Sequence, residues 1–270
     1  MSKIAAIQMA SGPQVQGNLM EAARLIKEAA KKGADMVVLP ESFAIMGHTE
    51  AERVAIAEEE GPGGFIQDVL SQLAESLGVW IVSGTIPLKT DDPTKSTASS
   101  LMYDDKGKQV ARYDKIHMFD VVIEGSDETY DESATTVAGS DLVVVDTPFG
   151  KIGMTVCYDL RFSKQFRLLT EQGAEILLVP SAFTDLTGKA HWKPLLRARA
   201  IENLCYVIAP AQGGYHVNGR TTHGNSMVID YWGKVVDVAT KGSKVIMIDV
   251  NLDAQRKVRK NFPVLKHRRL

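Results

Sequence analysis

The segment Gly33-Ala34-Asp35-Met36-Val37-Val38-Leu39-Pro40 recurs, conservatively changed, as Gly173-Ala174-Glu175-Ile176-Leu177-Leu178-Val179-Pro180. A repeated segment asks for the same local structure twice, so the fold must contain two related halves. Each copy follows a helical stretch. Before the first, Leu19, Ala22, Ala23, Ile26 and Ala30 fall at helical spacing; Asn18 with Glu21 has the form of a capping box, and Gly33 that of a helix stop. Before the second, Phe166, Leu168 and Leu169 lie between a candidate Ser163 cap and Gly173. Short apolar runs precede the helices at 4–9 and 151–156, and others follow a further helical stretch at 79–86 and 205–211. Strand–helix–strand–helix–strand, twice over, is a duplicated α/β unit whose continuous apolar strands suit burial on both faces. No Pro/Gly/Ser-rich linker parts the halves, so residues 1–270 read as one domain.

The remaining segments are β-like. Runs at 98–103, 108–113, 142–146, 227–230, 234–238 and 244–250 are apolar or alternating, bounded by turns such as Asp105-Lys106-Gly107 and Trp232-Gly233. Residues 120–140, rich in acids, Ser and Thr, form the longest stretch without periodicity and read as a functional loop. A net charge of -2 provides no basic field, which argues against a nucleic-acid partner, and the basic run Lys266-His267-Arg268-Arg269 reads as a solvated tail. No run approaches the roughly 20 apolar residues of a membrane helix. The N-terminus lacks the layout of a signal peptide, and Cys157 and Cys205 make no disulfide framework; free thiols in the cytoplasm are expected.

Functional groups in open α/β sheets gather beyond the carboxyl ends of strands. Here Glu41 follows 36–40, Lys115 follows 108–113 and Cys157 follows 151–156, so one mouth can hold a carboxylate, an amine and a thiol. Each has a plainer reading: a strand-end cysteine packs as a small hydrophobe, and a lone Glu or Lys is solvated. The context of Cys157 favours chemistry. Val156-Cys157-Tyr158-Asp159-Leu160-Arg161-Phe162 passes from strand to helix without Gly or Pro, a tight turn that can aim backbone N–H groups at an oxyanion. Arg161 either braces this turn through Asp159 or faces a substrate carboxylate. Gly224-Asn225-Ser226-Met227-Val228 lacks the second glycine of a serine elbow, and Gly61-Pro62-Gly63-Gly64 has no phosphate-binding lysine. The six histidines lack metal-ligand spacing, and Cys205 sits in an apolar strand as a core residue.

Taken together these segments resemble the carbon–nitrogen hydrolases of the nitrilase superfamily. Leu39-Pro40-Glu41 is similar to the family's glutamate motif, Tyr113-Asp114-Lys115-Ile116-His117-Met118-Phe119-Asp120 to its lysine motif, and Cys157 to Phe162 to its cysteine motif. The resemblance implies a four-layered α-β-β-α sandwich with pseudo-two-fold halves, homodimers pairing sheet to sheet, and no cofactor or metal. It implies a Glu41–Lys115–Cys157 triad with Glu132, in Tyr130-Asp131-Glu132-Ser133, bracing the lysine. Ala190-His191-Trp192, Leu195 to Glu202 and Asn261 to Leu265 resemble the Nit branch, whose members hydrolyse deaminated glutathione and whose relatives are ω-amidases on 2-oxo acid amides. That branch implies Tyr158, Arg161 and Thr187, the last in a loop Thr187-Gly188-Lys189, as substrate-binding residues. Ser163-Lys164 departs from a common Pro-Glu, and Asp185 adds a negative charge to a pocket loop, against an anionic substrate.

The chemistry follows from these groups. A thiol is mostly protonated at neutral pH, so Glu41, with a pKa raised toward the working pH, takes the Cys157 proton; Lys115 and the Tyr158 N–H hold the oxyanion. The expected function is hydrolysis of a small linear amide through a Cys157 thioester. Rival expectations are acyl transfer to an amine, and a catalytically silent metabolite-binding scaffold.

Overall fold

In the computed structural model, which describes residues 1–123, 128–240 and 242–269, the repeat lies in two parallel three-strand units. Ser2–Gln8, Met36–Val38 and Trp80–Val82 run parallel, with Ile4 level with Met36 and Met36 with Trp80. Gly150–Met154, Ile176–Leu178 and Tyr206–Ala209 match them, with Ile152, Ile176 and Tyr206 level. The equivalence reaches single hydrogen bonds. Asp35 N donates to Lys3 O as Glu175 N does to Lys151 O, both at 2.8 Å, and Leu39 N donates to Val82 O at 3.0 Å as Val179 N does to Ile208 O at 2.9 Å. Gly33 and Gly173 both end the preceding helix at positive φ, 83° and 100°, a backbone state open to glycine without cost.

Antiparallel additions widen each unit. Lys244–Val250 pairs with Ser2–Gln8, and Ser96–Tyr103 pairs with Trp80–Val82 and carries Ile86–Lys89, Gln109–Asp114 and Thr136–Val137. In the second sheet Val144–Thr147 joins Gly150–Met154, and Ser226–Ile229 and Val235–Ala239 extend it beyond Tyr206–Ala209. Strand alternation then assigns two faces. Ala5, Ile7, Val37, Leu39 and Ile81 pack with Leu25, Ile26, Leu70 and Ala74 of the helices Val15–Lys31 and Phe65–Leu77. Ile4, Ala6, Met36, Val38 and Val82 belong instead to the cluster shared with the second sheet. Phe166 and Leu169 of Ser163–Glu171, with Trp192 and Leu196 of Asp185–Asn203, complete that cluster on the far side. The layers are helix, sheet, sheet, helix, the expected α-β-β-α sandwich. Each fully buried Leu or Ile contributes about 1.5–3 kcal/mol to holding them together.

Several local expectations are corrected. The run 79–86 is two strands, because Gly84 turns at φ +62° against the first repeat; a Cβ there would lie 2.0 Å from Pro40 O. Asn18 is no helix cap: the helix starts at Val15, and the buried Asn18 amide donates to Gly12 O and Ala44 O, each at 2.8 Å. Ser163 is the first residue of its helix, with Phe162 in the cap position and no side-chain cap bond. Gln8, a polar interruption in the first strand, is buried and accepts from Ser226 N at 2.9 Å, linking the sheets. The stretch 120–140 is not bare loop. It holds the paired strands Asp120–Val122 and Thr129–Asp131, the 3-10 turn Glu132–Ala134 and Thr136–Val137; residues 124–127 lie outside the described residues. The basic tail is tied down at Arg268, which donates to Asn203 Oδ1 at 3.0 Å. Among the described residues no helix is long and apolar enough to cross a membrane.

Candidate active site

The three predicted strand ends meet. Glu41 follows the first repeat strand, and the next residue, Ser42, turns at φ 54° with its N–H held by Thr85 Oγ1 at 2.8 Å. Cys157 stands at φ 45° at the start of the 3-10 turn Cys157–Arg161, its N–H donating to Pro180 O at 2.9 Å. A non-glycine residue in this region costs about 1–2 kcal/mol, and the strain at both residues is carried by bonds from the other strand ends. Lys115 leaves Gln109–Asp114 with its N–H on Ala98 O at 3.0 Å.

Lys115 Nζ donates to Glu41 Oε1 at 2.9 Å and to both oxygens of Glu132 at 2.9 and 2.8 Å. Lys115 is 2% exposed, Glu41 5%, and Glu132 and Cys157 8% each, so these contacts act in a largely water-free setting where charges couple strongly. Glu41 Oε2 accepts the Ala182 N–H at 2.7 Å, and Glu132 Oε2 that of Phe119 at 2.7 Å. Every carboxylate oxygen around the ammonium therefore has a donor, the condition under which a buried ion cluster persists.

Burial alone pushes the Glu41 carboxyl up, but the Lys115 charge and hydrogen bonds from Lys115 and Cys157 outweigh it, leaving the group below its ordinary value. This corrects the expectation of a raised pKa. Burial likewise opposes the Lys115 charge, yet Glu132 and Glu41 hold it above the ordinary lysine value. Burial, then the Glu41 charge, drive the Cys157 thiol up. At neutral pH these directions give a carboxylate, an ammonium and a protonated thiol side by side.

A cavity of about 510 Å³ opens onto this cluster. Tyr158 and Thr187 line it, as do Glu41, Lys115, Glu132 and Cys157. Thr187 sits in the first turn of the helix Asp185–Asn203, not in a loop, and shares a 2.6 Å hydroxyl contact with Thr184. The helix runs through Gly188, where glycine is required because a Cβ would meet the His223 ring at 2.3 Å. Arg161 is not among the lining residues. Its guanidinium lies 5.1 Å from the Phe183 ring centroid and 5.7 Å from that of Tyr158, and contacts His191 Nδ1 at 3.1 Å.

The expected Asp159–Arg161 pair is also absent. Asp159, fully buried, instead accepts from Tyr113 OH at 2.6 Å, Val156 N at 2.8 Å and His117 N at 3.2 Å, and contacts His117 Nδ1 at 2.7 Å. It thereby bolts the segment carrying Lys115 to the turn carrying Cys157. Asp185 bonds Lys189 at 2.6 Å, so its charge is compensated and it does not line the cavity. Two lining cations escaped sequence reasoning, Arg53 and Arg220. Arg220 follows the Asn218-Gly219 turn between Gly213–Tyr215 and Thr221–His223, and that dipeptide is a hairpin signal which points to a cavity-edge loop. Cys205 is buried as a core residue, its thiol pushed up to about 11 chiefly by burial. Among the described residues no group of His, Cys, Asp and Glu is arranged to hold a metal ion.

The family model for carbon–nitrogen hydrolases matches residues 3–260. The deaminated glutathione amidase of Yersinia enterocolitica is 41% identical over 99% of this chain and 93% of its own length; that of Homo sapiens is 39% identical over 98% and 82%. The crystal structure of Saccharomyces cerevisiae Nit3, a member of branch 10 of the nitrilase superfamily, superposes with a TM-score of 0.89 at 30% identity, covering 100% of this chain and 97% of that one. The chain belongs to the carbon–nitrogen hydrolase family, within the nitrilase superfamily. Its class is that of hydrolases acting on carbon–nitrogen bonds other than peptide bonds.

Proposed function

We propose that this protein is an amidase that hydrolyses a small linear amide of the deaminated-glutathione type, with Cys157 as nucleophile, Glu41 as general base and acid, and Lys115 as oxyanion donor. The observation that carries the reading is the buried juxtaposition of a carboxylate, an ammonium and a thiol at one end of a 510 Å³ cavity. Glu41 accepts the thiol proton as Cys157 Sγ bonds to the amide carbonyl carbon. Lys115 and the Tyr158 N–H meet the charge on oxygen, each worth about 3 kcal/mol in comparable sites. The C–N bond breaks as Glu41 passes that proton to the leaving nitrogen. Water, deprotonated by Glu41, then cleaves the thioester and frees the acid. Glu132 holds the Lys115 charge in place, and Tyr158 and Thr187 shape the substrate site.

The full-length similarity to amidases of this name supports the substrate type. An ω-amidase activity on 2-oxo acid amides is the neighbouring reading, since the same triad serves both. The match over residues 3–260 supports a single domain spanning 1–270. A cytoplasmic homodimer completes the proposal. The free thiols of Cys157 and Cys205 suit a reducing compartment, and exposed Trp232 and Phe262, in edge contact at 6.0 Å, suit cover by a second copy. The test is release of product from deaminated glutathione, 2-oxoglutaramate and simple aliphatic amides by the parent protein and Cys157→Ala. Turnover of the first, lost in the variant with an unchanged circular-dichroism melt, is expected. Ammonia only from 2-oxoglutaramate would move the assignment to the ω-amidases, and no turnover of any amide would sink it.

A further inference from the structure

Two of the three ammonium and guanidinium groups lining the cavity are paired with carboxylates. Lys115 is shared by Glu41 and Glu132, Arg53 pairs with Glu50, and Glu128 accepts from Tyr130 OH at 2.8 Å. Asp131 accepts from Ser133 Oγ at 3.4 Å. Arg220 is the exception. Among the described residues it forms no ion pair, and its Nε is buried without a hydrogen-bond partner. Yet the guanidinium is held firmly: Nη2 donates to Ala182 O, and its carbon lies 5.0 Å from the Tyr130 ring centroid. The guanidinium lines the cavity half-buried and without an ion pair, so an anion entering there gains a charge-assisted bond without displacing a paired carboxylate.

Its position says where that anion sits. The Ala182 N–H holds Glu41 Oε2 at 2.7 Å while the Ala182 carbonyl takes Arg220, so guanidinium and general base are fixed to one residue. Arg220 and Cys157 line the same cavity, so an anion on Arg220 and an amide at Cys157 can belong to one small substrate. Arg161, the guanidinium singled out in the sequence, packs on the Tyr158 and Phe183 rings and does not line the cavity. Asp185, the charge that argued against an anionic substrate, is neutralised by Lys189.

We propose that Arg220 is the specificity-determining residue that receives the carboxylate of an anionic amide substrate. The proposal rests on the amidase reading for turnover, but not for binding. Arg220 makes the fork that a carboxylate matches, with Tyr130 stacked against it to limit its motion.

The experiment compares glutaramate, which carries a carboxylate, with its neutral isostere glutaramide in the parent, Arg220→Gln and Arg220→Lys. In Arg220→Gln the ratio of kcat/KM values, glutaramate over glutaramide, is expected to fall about tenfold to a hundredfold, mainly through KM, with Arg220→Lys recovering part of it. Independently of catalysis, glutarate is titrated into Cys157→Ala and Cys157→Ala/Arg220→Gln by calorimetry, where the second is expected to bind at least about tenfold more weakly. A ratio that Arg220→Gln leaves unmoved overturns the proposal, as does glutarate that binds both calorimetric variants equally or binds neither. If the parent cleaves neither amide the amidase reading fails on its own, and the glutarate titration still decides Arg220.

Discussion

The two copies of the repeat end differently, although their backbones are alike. Leu39-Pro40-Glu41-Ser42 sends the Glu41 side chain to Lys115. Val179-Pro180-Ser181-Ala182 sends Ser181 Oγ back onto Val179 O at 3.0 Å, and what it offers the site is main chain: Pro180 O takes Cys157 N, and Ala182 N holds Glu41 Oε2. On the proposed mechanism one copy carries the general base while its twin acts as the frame that orients it. Duplication gives two equivalent strand ends facing one mouth, and on the proposed reading their divergence, Glu41 against Ser181 above all, separates chemistry from support.

The sharpest break in that comparison is Glu41→Gln, which keeps the shape and removes the proton acceptor. Its kcat/KM is expected to fall by about 10²–10⁴, read as release of the acid and amine products at fixed pH. Lys115→Met leaves two buried carboxylates without their cation, so besides losing turnover it should lower unfolding stability by about 3–5 kcal/mol in a urea melt at neutral pH. A loss below 1 kcal/mol there would mean that Glu41 and Glu132 do not depend on Lys115.

The pH dependence has a defined sign. Glu41 is depressed below 4.5 in the folded protein by Lys115 and the bond from Cys157, against the push of burial. Its stabilising contribution is thus complete above the ordinary glutamate value and fades as pH falls through the lower folded value. The acid limb of kcat/KM should likewise lie below pH 4.5 and disappear in Glu41→Gln. An acid limb near neutrality would instead place Glu41 among raised carboxylates. The smallest effect belongs to the other copy. Ser181→Ala removes one buried hydroxyl bond, about 1 kcal/mol in thermal unfolding, with kcat near that of the parent. A large loss of kcat would show that the second copy is more than a frame.

Much of this was legible in the chain. The repeat announced itself because parallel strands buried on both faces need unbroken apolar runs, and the paired glycines because each helix must end at positive φ. Glu41, Lys115 and Cys157 stood out because a strand's carboxyl end is where a parallel sheet exposes side chains. The resemblance to the nitrilase superfamily then singled out Glu132, which no periodicity marked.

What the chain did not disclose were partnerships between residues far apart in sequence. Asp159 and Arg161 are near neighbours, which suggested a pair, but Tyr113 and His117 arrive from the other sheet and take the carboxylate first. Asn18 was spaced for a cap yet is drawn to Gly12 and Ala44 by the packing of its loop. The direction of the Glu41 shift depended on a contest between burial and Lys115, whose outcome requires a distance of 2.9 Å. Arg220, alone on a short hairpin, becomes notable only when Ala182 and Tyr130 are seen to hold it and no carboxylate among the described residues forms an ion pair with it. Local sequence determined which strands form and which reactive groups end them, because those depend on neighbours in the chain. Tertiary structure decided which charges are satisfied, because Coulomb and hydrogen-bond energies depend on distance and burial, and neither is written in order along the chain.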